Sequence, residues 1–107
     1  MPREGPKREL RSSPGVIEIS LPETPTSGYL WQVGGLPPEI EEISKEFRVR
    51  PGQAGYVGAE GTRVFRIRAN KPGRYELEFF LQRPWENQPL EHQVISLIVN
   101  EGDDHQP

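Results

Sequence analysis

The chain has 107 residues, 33% of them apolar, with 12 prolines, 11 glycines, no cysteine and a formal charge of −3. That is one domain's worth of chain with a modest core, and its density of turn residues suits many strands better than long helices. The charge is too slight for a nucleic-acid footprint, and the missing cysteine excludes a disulfide scaffold, a thiolate metal site and a cysteine nucleophile. No apolar run approaches the ~18 residues that span a bilayer.

Residues 1–14 are polar, basic and proline-bearing, with Leu10 as the one large apolar side chain after Met1, so disorder is expected there. Val16-Ile17-Glu18-Ile19-Ser20-Leu21 alternates and predicts a first strand with Ile17, Ile19 and Leu21 on one face. Thr24-Pro25-Thr26-Ser27-Gly28 reads as a loop, because Pro25 lacks a ladder donor and Gly28 tolerates positive φ. Tyr29 to Val33 makes the second strand, with Tyr29 and Trp31 assigned mostly to the core; Gly34-Gly35 and Pro37-Pro38 end it. Residues 39–46 read as a loop or turn passing into a strand near 44–50, and a turn follows over 51–55.

Gly58-Ala59-Glu60-Gly61-Thr62 is a second loop-like stretch. The strand over 62–69 turns Ile67 and Ala69 inward, after Val64 and Phe65 enter. A turn at Lys71-Pro72-Gly73 leads to a strand over 74–83 with Tyr75, Leu77, Phe79 and Leu81 on one face. Arg66 and Arg68 are placed to pair with Glu76 and Glu78 if the two strands are neighbours. Arg83-Pro84-Trp85 opens a polar loop, and residues 92–100 give the last strand, with Ile95, Leu97 and Val99 inward. Residues 101–107 form a polar tail expected to be disordered. The organisation is a disordered segment over 1–14, one β domain over 15–100 and a tail over 101–107. The strand count points to an all-β, immunoglobulin-like antiparallel β-sandwich of six to eight strands.

The three loop stretches together resemble the chagasin-like inhibitors of papain-family cysteine peptidases. That family carries Asn-Pro-Thr-Thr-Gly-Tyr-x-Trp, then Gly-x-Gly-Gly before a Phe-bearing strand, then Arg-Pro-Trp. Here Thr24 stands where the family has Asn, Glu60 stands at the middle glycine between Gly58 and Gly61, the Phe is Phe65, and Arg83-Pro84-Trp85 is intact. The resemblance covers roughly residues 16–100 and implies the same fold. It also implies a reversible, tight-binding inhibitor that plugs a peptidase cleft with three loops, offering none of them as a scissile substrate.

The implied peptidase-binding residues are Thr24, Pro25, Thr26, Ser27 and Gly28; Gly58, Ala59, Glu60, Gly61 and Thr62; and Arg83, Pro84 and Trp85. The loops reach one end of the sandwich if an odd number of strands separates them. Thr26 and Ser27 offer small hydroxyls to a narrow slot, although local turn bonding explains the same residues. Trp85 is the exposed anchor, or else it caps the core and Arg83 is a solvated strand-end charge. Glu60 restricts its loop and adds negative charge.

An enzyme finds no support. His92 and His105 are the only histidines, neither has a metal-ligand or nucleophile partner at a telling spacing, and Glu39, Glu41, Glu42 and Glu46 read as a solvated face. No catalytic residue, metal or cofactor is expected, and the partner is a papain-like cysteine peptidase bound by a monomer, with neither nucleic acid nor membrane. The sequence leaves the location open between the cytoplasm and export after removal of a signal peptide. Two other readings share the fold: an adhesion or assembly module that binds a protein or polysaccharide, and a structural domain of a larger polypeptide.

Overall fold

The computed structural model describes residues 3–5, 7–24, 27–49 and 60–101, the side chain of Arg3 excepted. Among them are eight strands: β1 (Arg3–Glu4), β2 (Arg8–Ser12), β3 (Gly15–Glu23), β4 (Leu30–Val33), β5 (Ile40–Val49), β6 (Gly61–Ala69), β7 (Gly73–Gln82) and β8 (Glu91–Val99). They form two sheets. One has the order β3-β6-β5; the other has β4-β7-β8, with β1 and β2 both lying along the free edge of β8. This is the expected sandwich, antiparallel except where β1 and β2 run parallel to β8.

The period-two pattern builds the core. Ile17, Ile19 and Leu21 of β3 and Phe65, Ile67 and Ala69 of β6 face Trp31, Leu77, Phe79, Ile95, Leu97 and Val99 of the other sheet. Phe65 and Phe79 meet across the layers with ring centroids 5.1 Å apart at 52°. Each such large side chain contributes about 1.5–3 kcal/mol by leaving water. Val64 is buried as well, on the outer side of the central strand β6, where Ser20 and Glu46 flank it in register. The buried Ser96 hydroxyl lies 2.9 Å from both carboxylate oxygens of Glu76. That hydrogen bond is the main influence holding the Glu76 carboxyl below the usual carboxylate range.

Three sequence expectations are corrected here. Disorder over residues 1–14 does not hold for β1 and β2: β2 pairs with β8 from Arg8↔Ile95 to Ser12↔Val99, and Leu10 packs on the core. A shortage of apolar side chains weighed only burial, whereas the open edge of β8 offers a backbone ladder that needs no particular side chain. Residues 40–43 are strand rather than loop, so β5 begins ahead of the strand expected near 44–50. A bulge between Glu42 and Ser44 expels Ile43, and this breaks the alternation that would have marked β5 in the sequence.

Arg66 and Arg68 do not meet Glu76 and Glu78, because β6 and β7 belong to different sheets with opposite outer faces. Arg66 pairs instead with Glu18 at 3.6 Å and Arg68 with Glu41 at 3.1 Å. The turn expected over 51–55 and the tail over 102–107 lie outside the described residues.

Candidate functional site

Strand register decides which connections share an end. In one sheet Gly61, the first residue of β6, stands opposite both Glu23 and Val49, the last residues of β3 and β5. In the other, Leu30, which opens β4, stands opposite Gln82, which closes β7, and Leu81 stands opposite Glu91, which opens β8. A hydrogen bond of 3.0 Å from the Trp31 amide to Glu23 Oε1 brings the two sheet ends together. The β3–β4, β5–β6 and β7–β8 connections therefore leave from one end. Two strands separate successive connections, and a strand away from the end followed by one back to it returns the chain to the end it left, so the odd count expected from the sequence is corrected to an even one.

The first connection is tied to itself by local bonds. Ser27 N and Ser27 Oγ both donate to Thr24 O, at 3.1 and 2.7 Å, and Tyr29 N donates to Ser27 Oγ at 3.2 Å. The Ser27 hydroxyl thus does the turn bonding that the sequence offered as the alternative to peptidase contact. Gly28 has φ +82°, in the left-handed region that disfavours a side chain. A Cβ there would stand 3.2 Å from Trp85 Cη2, so the bare Cα is also the seat of that indole.

The third connection is fastened to the first by Arg83. Its Nε donates to Ser27 O at 3.2 Å, its guanidinium lies 4.3 Å from the Tyr29 ring centroid, and its Nη1 is 3.3 Å from Glu86 Oε2. Arg83 is therefore no solvated strand-end charge. Glu86 N donates back to Arg83 O at 3.0 Å and closes a turn around Pro84, which presents Trp85 to solvent at 70% exposure. An indole so exposed does not cap the core.

Of the second loop stretch the described residues are Glu60, Gly61 and Thr62. Glu60 is exposed, while Gly61, buried, and Thr62, half-buried, are already the first residues of β6 rather than loop. An open cleft of about 490 Å³ separates the connections, lined by Thr24, Ser27, Tyr29, Glu60 and Leu90 among others. Pro25, Thr26, Gly58 and Ala59 lie outside the described residues.

A Cβ on Gly61 would collide with the Arg48 carbonyl oxygen and stand 2.6 Å from Phe47 Cζ. Because one obstacle is backbone, the strand must move. Gly61→Ala is expected to cost about 1–3 kcal/mol in urea unfolding, as overpacking does.

Beneath the connections lies a pair that sequence reasoning missed. Glu23, its side chain fully buried, receives the Arg63 guanidinium: Nη2 reaches Oε2 at 2.6 Å, and Nε lies 3.2 Å from both oxygens. Arg63, 17% exposed, also sits 5.5 Å from the Phe47 ring centroid, and Trp31 Nε1 donates to Pro22 O at 2.7 Å. A signal was present. Continuing the alternation of the first strand past Leu21 puts Glu23 on the inward row, where a carboxylate needs a cation.

Comparison with known proteins agrees with this geometry. Residues 14–99 match the chagasin family peptidase inhibitor I42. Chagasin of Trypanosoma cruzi is 29% identical over 73 residues, which are 65% of this chain and 66% of that protein. Among solved structures, the cysteine protease inhibitor EhICP2 from Entamoeba histolytica superposes with TM-score 0.67 at 23% identity, covering 90% of this chain and all of that one. PbICP-C, solved in complex with falcipain-2, gives TM-score 0.54 at 17% identity over 92% of each chain. At those identities the structures speak to fold alone.

Proposed function

The chain belongs to the chagasin family of peptidase inhibitors, and from that premise we propose that its three clustered loops occlude the cleft of a papain-like cysteine peptidase. Binding is reversible and tight, needs no cofactor, and leaves every loop uncut. The observation that carries this reading is the convergence of the β3–β4, β5–β6 and β7–β8 connections, with Trp85 seated on Gly28 and Arg83 bonded to Ser27.

Roles divide among the binding residues. Trp85 and Glu60, both exposed, make contact, as do Thr24, Pro25 and Thr26 of the first loop. Gly58, Ala59 and Thr62 complete the flanking loop. Ser27, Gly28, Gly61, Arg83 and Pro84 act chiefly by holding the loops in shape. Internal bonds of that kind lower the ordering cost of association.

A titration of papain with near-stoichiometric protein tests the reading: a steep, linear loss of activity supports it, and full activity at micromolar protein refutes it. Glu60→Gly is expected to inhibit as well as the parent or better, since glycine lets the loop backbone approach the cleft closely and removes a charge; inhibition constants measured side by side check this. A large loss would mean that Glu60 makes a favourable contact of its own.

A further inference from the structure

The Glu23–Arg63 pair links the bases of two of the three connections. β3 and β4 are edge strands of different sheets, so the Trp31 amide that points away from β7 has no strand partner on that side. The Glu23 carboxylate supplies the acceptor and closes the first connection at its base. The same carboxylate is gripped by Arg63, two residues into the strand that leaves the second connection. Arg63 in turn packs on Phe47, two residues before the end of the strand that enters it. One buried ion pair therefore touches both bases.

A buried ion pair is weak evidence for stability, since apolar residues of similar volume often serve as well, but it does select one arrangement over others. We infer that Glu23 and Arg63 are positioning residues for inhibition, setting the first loop against the second in the arrangement that a peptidase cleft accepts. The inference rests on the inhibitor reading above. Neither residue needs to touch the peptidase: Glu23 is buried and Arg63 nearly so.

Two variants test it. Glu23→Leu/Arg63→Met removes both charges, so no orphan charge is left to unfold the protein, and leaves the Trp31 amide without its acceptor. Glu23→Gln/Arg63→Met returns an amide oxygen to Trp31 but not the tie to β6. If molecules with correctly set loops become a minority, the apparent affinity falls by that fraction. With papain, the Leu/Met variant is expected to associate about tenfold more slowly, and the Gln/Met variant at an intermediate rate. The Leu/Met variant is expected to stay folded, its melting point lower by several degrees for the unpaired Trp31 amide.

Loss of a direct contact moves the dissociation rate instead. Parental association rates in both variants overturn the inference, as does a loss confined to dissociation. Should the Leu/Met variant not fold, the Gln/Met variant decides alone: slower association than the parent supports the inference, and a parental rate overturns it.

Amide exchange in the free protein separates this result from failure of the inhibitor reading. The Tyr29 and Trp31 amides are expected to exchange faster in the Leu/Met variant while those of Ile67 and Ile95 do not. If the parent does not inhibit papain but this exchange pattern is found, the inhibitor reading has failed and the positioning has not. Unchanged exchange at Tyr29 and Trp31 counts against the positioning itself.

Discussion

Trp85→Ala is expected to raise the inhibition constant against papain ~10-fold or more while leaving the unfolding midpoint near that of the parent. The indole is 70% exposed in the free protein, so little folding energy depends on it. It is also preset for binding: Pro84 precedes it, the Arg83–Glu86 turn holds its backbone, and Gly28 gives its edge a flat seat. Interface tryptophans of this kind commonly cost about 2 kcal/mol or more when truncated, which is at least a tenfold loss of affinity. The loss belongs in the dissociation rate, because removing a contact seldom changes how partners meet. An unchanged inhibition constant would remove Trp85 from the interface. A large fall in stability would instead show it supporting the fold, against its exposure.

The second large effect concerns the buried pair. Arg63→Ala leaves the Glu23 carboxylate enclosed, with the Trp31 amide as the remaining donor among the contacts described above. Removing one partner of a buried ion pair typically costs about 3–5 kcal/mol. Against the 5–15 kcal/mol of a typical domain that is a large share, and for a chain of this size it corresponds to a melting point lower by roughly 15 °C or more. Urea unfolding measures it directly.

The exposed pairs supply the control. Arg68–Glu41 and Arg66–Glu18 lie half in solvent, and Arg68→Ala is expected to cost no more than ~1 kcal/mol. Adding Glu23→Leu to the Arg63 variant should recover most of the loss, because the orphaned charge goes with it. A full additive penalty in the double variant would show that packing, rather than the stranded carboxylate, sets the cost.

What the sequence determined by itself was local and periodic. Alternation in β3, β6, β7 and β8 assigned nearly every core side chain correctly, because one buried face imposes a period of two whatever the partner strand is. Part of the loop chemistry was legible as well, since Gly28 and Pro84 carry turn signals that can be read without a fold, whereas Gly61 lies in β6 and is needed for the close approach of the Arg48 carbonyl. Tertiary structure alone decided which strands are neighbours. It sent Arg66 and Arg68 to Glu18 and Glu41 rather than to Glu76 and Glu78, and it gave the polar N-terminal segment a place along β8. It also put Glu23, Arg63 and Trp31, far apart in the chain, into one buried contact. Pairing across sheets depends on register and layer order, which no window of neighbouring residues encodes; the alternation that puts Glu23 on an inward row does not say which cation meets it there.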